Sequence, residues 1–511
     1  MTSDADLPVP DPELLDIRDA GISRTSLERF GAAVWTEALD WLYGEAMVRP
    51  IQRESYPDSR RRFFGPSNEP APAPDVGSPA DAVLTEFRER VAPMTFNAQF
   101  PGAFSYFTPP PLAMSIGGEV LAQWLHQGVD VWHAGPIGAF VEEEVIGWLR
   151  TVVASGAGSW GVLTSGGAMA NLMALAVARD IHLAEIRGDE HPPRGSALEG
   201  VRVYASDQTH FSVERGLDIL GFPSGTLHVV ASDDRFRLQA GPVADAIAED
   251  RAAGLTPLAI SAVAGSTNTG SVDLVVDLAS LAKSEGMWLH VDAAFGGAAR
   301  LSPRDAARVP GLELADSVTV DPHKWFFQAY DIGGLVVRRR EDLRETFHRS
   351  PEYYASSRPE DEPLNWYEYT IEGTRRFRAL KLWMSWKHLG TRGLAALVED
   401  TDDLAAYLAA RLRDAPDFEL AVEPELSIVC FRHLPEGWDG WPPGRLDAYQ
   451  NDLQRALELD GAAWVSVTTL RGSTFLRAGV VNYLSSPAEI DRLVSALRRL
   501  SEGVLEDVDH H

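Results

Sequence analysis

Two short apolar runs constrain this chain more than any other part of it. Ser317-Val318-Thr319-Val320 reads as a strand that ends at Asp321, and Pro322 breaks it. His323, Lys324, Trp325 and Phe326 follow at once. Upstream, Trp288-Leu289-His290-Val291 reads as a second buried strand, closed by Asp292 and followed by Ala293-Ala294-Phe295-Gly296-Gly297. A lysine between a histidine and two aromatics is either a snorkelling surface residue or a functional one. Lysine is rarely fully buried unless it is paired or modified. In apolar surroundings a neutral amine is favoured, and a neutral amine is a nucleophile toward carbonyls.

The carboxylate on the neighbouring run favours the functional reading. An imine-forming lysine beside a strand-end carboxylate suits pyridoxal phosphate, whose ring nitrogen needs a carboxylate to stay protonated and act as an electron sink. Lys324 is the candidate for the covalent bond and Asp292 the candidate for the ring nitrogen. With Pro322-His323-Lys324-Trp325 and His290-Val291-Asp292-Ala293-Ala294, the chain resembles the pyridoxal-phosphate-dependent group II amino-acid decarboxylases, which include the aromatic-L-amino-acid and glutamate decarboxylases. The resemblance is close over residues 95–390 and looser beyond. It implies an α/β protein of fold type I with a mostly parallel central sheet in its large domain. The expected divisions are an N-terminal helical segment at 1–111, a cofactor-binding domain at 112–389 and a small C-terminal α/β domain at 390–511.

Several further stretches gain a role from that resemblance. Phe100 to Pro111 is a proline-punctuated aromatic loop, by itself either a hydrophobic plug or a pocket wall. The resemblance puts Tyr106 and Phe107 in the substrate pocket, with Thr108-Pro109 where the family often has Pro-Thr. Ser165-Gly166-Gly167-Ala168 opens a helix, and free backbone N–H groups there form either a plain turn or an anion site. The resemblance assigns Gly166, Gly167 and Ala168 to the cofactor phosphate, with Ala168 where many members have serine. His210 is expected to stack on one face of the cofactor ring and Ala294 to lie against the other. Thr267, after a strand, is either a turn residue or a cofactor neighbour, and His323 is expected to help hold the phosphate. Asp321 replaces an asparagine of other members, and no phosphate contact is assigned to it.

His348 to Glu362 is a polar stretch of weak periodicity. Its Pro351-Glu352-Tyr353 resembles the mobile catalytic loop of the family, which makes Tyr353 the expected proton donor and Tyr354 the second choice. Gly373 to Trp383 resembles the family's entry into a long helix, with Thr374 near a position that sorts indole from phenol substrates. Periodicity predicts helices over 23–49, 81–91, 141–153, 393–413 and 446–459, and one from Pro487. It predicts strands over 201–205, 227–230, 258–263, 335–337, 418–422, 427–432, 464–469 and 474–480.

Composition removes other classes. A net charge of -28 argues against nonspecific nucleic-acid binding. One cysteine, Cys430, in an apolar run allows no disulfide and no cysteine zinc site, and no metal is expected. No apolar run is long enough to span a bilayer, and Met1 to Pro12 resembles neither a signal nor a transit peptide, so the cytoplasm is the expected compartment. The expected activity is decarboxylation of an L-amino acid, aromatic or otherwise apolar, to an amine and carbon dioxide. The alternatives are oxygen-dependent conversion to an aldehyde, an aminotransferase or lyase reaction, and an inactive scaffold. Tyr353 and His210 argue against the first, Pro-His-Lys-Trp against the second, and Lys324 with Asp292 against the third. The resemblance also implies a homodimer in which the lid of one chain covers the cofactor of the other.

Overall fold

The computed structural model describes residues 24–44, 50, 55–153, 156–349 and 363–508. One unit comprises the described part of residues 1–103 with 455–464. It holds helices α1 (Arg24–Tyr43), α2 (Tyr56–Phe64) and α3 (Ala80–Glu86). Ser55 caps α2 by accepting from the Asp58 amide, as its sequence Ser-Tyr-Pro allows. Glu37 of α1 pairs with Arg88, and the Trp41 indole donates to the Ala92 carbonyl at 3.0 Å. Phe30, Val34 and Leu39, the apolar stripe read from periodicity, are exposed.

The other unit, the described part of residues 104–454 with 465–511, carries two sheets. The larger is built from β1 (Trp160–Thr164), β2 (Val201–Ser206), β3 (Leu227–Val230), β4 (Thr256–Val263), β5 (Trp288–Asp292), β6 (Ser317–Val320) and β7 (Gly333–Val337). Their order is β1-β7-β6-β5-β4-β2-β3. The run β6-β5-β4-β2-β3 is parallel throughout. β7 runs antiparallel to both β6 and β1, so β1 points the same way as β6. The mostly parallel sheet expected from the sequence is present, with one reversed strand. The C-terminal ends of β1, β2, β4, β5 and β6 and the start of β7 therefore share one edge. The register aligns Val263 with Asp292, Asp292 with Thr319, Val320 with Gly334 and Thr164 with Gly333.

The central strands are mostly apolar because both faces are covered, and their few polar residues, such as His290, Ser317 and Thr319, are hydrogen-bonded to one another or to Asn171. β1, β5, β6 and β7 are buried at every position. Helices α4 (Ala113–Leu125), α5 (Pro136–Val152) and α6 (Gly167–Val177) belong to this unit, and α5 packs on β1 while α6 packs on β7 and β6. Full burial of each Val, Ile or Leu here is worth about 1.5–3 kcal/mol.

Two boundaries differ from the sequence reading for physical reasons. α5 begins at Pro136, not at 141, because proline suits the first helical position, where its missing N–H costs nothing. Glu142 is thus inside the helix and buried, where it forms an ion pair with buried Arg375 at 2.6 Å. Arg375 also donates to the Val129 and Leu163 carbonyls. The helix expected from residue 393 is the second half of α7 (Ala379–Arg413), which Gly390 interrupts at φ 63° and ψ 173°. β8 (Phe418–Leu420), β9 (Ile428–His433), β10 (Ser466–Leu470) and β11 (Ser473–Gly479) form an antiparallel sheet in the order β10-β11-β9-β8. Among the described residues no helix is long and apolar enough to cross a membrane.

Candidate active site

At the shared strand edge Lys324, Asp292 and His210 line one cleft, together with Gly167, Ala168, Thr267 and Ala294. They arrive from five different strand ends. Asp292 is the last residue of β5, and Lys324 follows β6 after Pro322 has turned the chain. His210 follows β2, Thr267 follows β4, and the glycines follow β1. Asn171, Val263, Gly265, Phe295 and Asp321 complete the wall.

Asp292 is held by a buried polar chain whose proton positions can be deduced. The Trp288 indole can only donate, and it donates to Ser317 Oγ at 2.9 Å. The Ser317 hydroxyl proton is then given to His290 Nδ1 at 2.9 Å. Burial pulls the His290 pKa down to about 4, so the ring is neutral and its proton sits on Nε2, which donates to Asn171 Oδ1 at 3.0 Å. Thr319 donates to the same oxygen at 2.7 Å. The Asn171 amide is thereby oriented, and its Nδ2 donates to Asp292 Oδ2 at 2.7 Å and to Ser212 Oγ at 2.9 Å. The Ser212 hydroxyl donates to His210 Nδ1 at 2.7 Å. Burial also lowers the His210 pKa against the opposing pull of Asp292, which leaves Nε2–H as the donor on the ring. The Ala294 amide donates to Asp292 Oδ1 at 3.1 Å. Each Asp292 oxygen has one protein donor and spare acceptor capacity for a protonated nitrogen.

The glycine turn sits opposite. Met169 is the first residue of α6 to return its N–H to Gly166, at 3.0 Å, so the Gly167 and Ala168 amides precede the helical ladder. A Cβ on Gly166 would stand 3.1 Å from His323 Cε1, and one on Gly167 would stand 2.8 Å from Asp321 Oδ2 and 3.1 Å from Ala294 Cβ. His323 accepts the Ile332 N–H on Nδ1 at 3.3 Å, and burial lowers its pKa. Its proton is therefore on Nε2, a donor beside the turn. Lys324 Nζ lies 3.3 Å from Asp321 Oδ2.

Tyr106, Phe107 and Thr374, expected in the substrate pocket, are not among the residues that line this cleft. Phe107 is buried, its ring centroid 4.4 Å from that of Phe295 and 5.6 Å from Lys324 Nζ. Tyr106 is exposed, and so is Thr374, which does not line the cleft of this chain. Tyr353 and Tyr354 lie outside the described residues. Arg477 was missed. It is buried on β11, its guanidinium 4.7 Å from the Phe107 centroid, and its Nε donates to the Thr267 and Asn268 carbonyls. Its Nη2 is buried without a hydrogen-bond partner, and burial lowers its pKa. An arginine inside the apolar run Phe475-Leu476-Arg477-Ala478 was the available signal. Asn171 was missed as well, because an asparagine in an alanine-rich helix gives no chemical cue.

A reactive amine, a fixed carboxylate with spare lone pairs, a ring with one N–H and a glycine cradle at a helix start are the donor set that pyridoxal phosphate requires. Residues 66–434 match the pyridoxal-dependent decarboxylase conserved domain. The chain belongs to that family. It is a pyridoxal-phosphate-dependent amino-acid decarboxylase by descent. It is 32% identical over 432 residues to the aromatic-L-amino-acid decarboxylase of Bacillus atrophaeus, covering 84% of this chain and 87% of that one. It is 30% identical over 410 residues to an L-2,4-diaminobutyrate decarboxylase of Acinetobacter baumannii, covering 78% and 79%. The fold matches a crystal structure of Oryza sativa TDC with PLP and tryptamine at a TM-score of 0.87 and 24% identity, over 94% of this chain and 99% of that one.

Proposed function

We propose that this decarboxylase converts an L-amino acid with an aromatic or other apolar side chain to its amine and carbon dioxide. What carries the reading is the convergence of Lys324, Asp292 and His210 on one cleft, with the Phe107 ring beside the lysine. When bound, pyridoxal phosphate supplies a sink for the electron pair left as carbon dioxide departs. Lys324 is the nucleophile that attaches it. Asp292 holds the proton on the ring nitrogen, and the chain from Trp288 to Asn171 keeps that carboxylate in place. Ser212 fixes the His210 ring so that Nε2–H serves the cleft. Ala294 leaves room for a ring against it. The Gly167 and Ala168 amides and His323 Nε2–H receive the phosphate.

Phe107 and Phe295 offer an apolar wall for the substrate side chain. The partnerless Arg477 Nη2 is a buried donor suited to an anionic group of the substrate. Tyr353 delivers the proton to the substrate carbon. Met114, Leu121, Trp124 and Leu125 on α4 and Ile137 and Phe140 on α5 are exposed, which favours burial against a second copy of the chain.

The 4-hydroxyphenylacetaldehyde synthase of Rhodiola rosea, 25% identical over 471 residues, keeps aldehyde formation as the second reading. Mass spectrometry of products from a panel of L-amino acids in air, with peroxide measured alongside, separates the two. An amine without peroxide supports the proposal, and aldehyde with peroxide refutes it. Borohydride fixation should yield a cofactor-bearing peptide at Lys324 that Lys324→Ala abolishes, and a fixed peptide surviving that change would remove the lysine from its role.

A further inference from the structure

Asp321 is a buried carboxylate that the proposed chemistry leaves unused. It is 2% exposed, and its Oδ1 has no hydrogen-bond partner. It is wedged between the two glycine turns at the strand edge. A Cβ on Gly167 would meet Oδ2 at 2.8 Å, and one on Gly333 would meet Oδ1 at 2.6 Å. Oδ2 lies 3.3 Å from Lys324 Nζ and 3.7 Å from His323 Nε2. Burial keeps His323 neutral, as it does His210, the imidazole lining the cleft. Among the described residues, the cation paired with Asp321 is therefore Lys324.

A buried carboxylate is costly without a counter-charge. Lys324 thus has two exclusive occupations, one as the partner of Asp321 and one as the covalent holder of the cofactor. When the lysine is engaged covalently, Asp321 loses a full ammonium partner. The same state brings a phosphate to the adjacent Gly166–Ala168 turn, where like charges repel. We propose that Asp321 is a positioning residue that receives the Lys324 ammonium whenever the lysine is not bonded to the cofactor, and that it thereby loosens the grip on the cofactor and favours displacement of the lysine by substrate. This rests on the cofactor placement proposed above. The exchange balances: the substrate nitrogen forms the double bond to the carbon that Nζ releases, and the three hydrogens of the substrate ammonium end on Nζ, which leaves as the ammonium that returns to Asp321.

The test is the dissociation constant and release rate of pyridoxal phosphate from the holoenzyme of Asp321→Asn, read by absorbance after ultrafiltration. The neutral variant should hold the cofactor about tenfold more tightly, the scale of one charge removed near a phosphate at intermediate dielectric. Its KM for the amino acid should rise while kcat changes less, because the lysine then resists displacement. Asp321→Ser, neutral and smaller, should change affinity in the same direction and covers failure of the asparagine variant to fold. In a Lys324→Ala background no ammonium competes with the cofactor for Asp321, so Asp321→Asn should tighten cofactor binding less than it does with Lys324 present, by the phosphate repulsion alone. Unchanged or weaker cofactor binding in both neutral variants overturns the inference, as does an equal effect in the two backgrounds. If borohydride fixation maps the cofactor to Lys324 and affinity is still unmoved, this inference alone fails. If fixation does not map to Lys324, the cofactor reading fails and takes the inference with it.

Discussion

Replacing Asn171 by leucine keeps the number and branching of the side-chain heavy atoms and removes every polar contact it makes. Four hydrogen bonds go, to Asp292, Ser212, His290 and Thr319. The bond to the Asp292 carboxylate is charge-assisted and worth about 1.5–3 kcal/mol. His290 Nε2–H, in a fully buried ring, loses its acceptor, at about 1–3 kcal/mol. The Thr319 hydroxyl can rotate, so its loss counts for less. Together the cost is on the order of 3–6 kcal/mol, a large share of the roughly 5–15 kcal/mol that holds a domain folded. Denaturant unfolding of cofactor-free protein measures the first effect, and the cofactor dissociation constant measures the second, since Asp292 is left with the Ala294 amide alone as donor. Asn171→Leu should unfold earlier and bind cofactor more weakly. Adding His290→Leu to it should cost less than His290→Leu alone, because the shared hydrogen bond is already broken. Wild-type stability in Asn171→Leu, or strict additivity with His290→Leu, would refute the proton chain from Trp288 to Asp292.

Burial brings the pKa of both His290 and His433 from 6.5 to about 4. The unfolded chain therefore takes up these protons first, and each histidine removes stability as pH falls from 6.5 to 4, about 3 kcal/mol apiece at the acid end. Asp402 and Asp273 work the other way, since burial raises them to about 6 and about 7 and their protonation favours the folded chain as pH falls. The difference in stability between wild type and His433→Phe should shift in favour of the variant as pH drops through that window, and a pH-independent difference in urea midpoint would contradict it. Arg375→Met strands Glu142 without its cation in the core and should cost about 3–5 kcal/mol, seen as a lower thermal midpoint, whereas the Arg375→Met/Glu142→Leu pair should recover most of it. Tyr353→Phe should shift product from amine toward aldehyde, and an unchanged amine yield would move the proton donor to Tyr354 or elsewhere.

What was legible in the sequence follows from which residues speak chemically on their own. β5 and β6 could be read because their apolar runs end in groups that must be accounted for, Asp292 and the His323-Lys324 pair. The glycine turn could be read because Gly166-Gly167 opens a helix. Asn171 could not, because its meaning lies in four partners drawn from residues 212, 290, 292 and 319. Arg477 was hidden for a similar reason. It reaches Phe107 and Thr267 across the unit, and only tertiary structure joins β11 to the loop after β4. Thr374, aligned by resemblance to a substrate-sorting position, is exposed in the single chain and does not line its cleft. The start of α5 was misplaced because the three acids at 142–144 suggested a helix N-terminus, when one of them is a buried ion-pair partner.

The reversed strand β7 explains why so much chemistry meets at one place. Had β7 run parallel to β6, its C-terminal end would lie at the functional edge. Instead its first residue, Gly333, enters there and pairs with Thr164 at the end of β1. That reversal lets the Gly166–Gly167 turn come so close that a Cβ on Gly333 would fall 2.5 Å from Gly166 Cα. Glycine at both positions is what allows the approach, and the approach is what leaves Asp321 walled in, with Lys324 as its charge partner. Gly333→Ala should therefore disturb the phosphate turn and Asp321 together. Loss of cofactor affinity together with a lower denaturant midpoint is the expected result, because the clash is with buried backbone. A variant that binds cofactor normally would show that the turn has room to move, and would weaken the case that Asp321 is held where Lys324 must answer it.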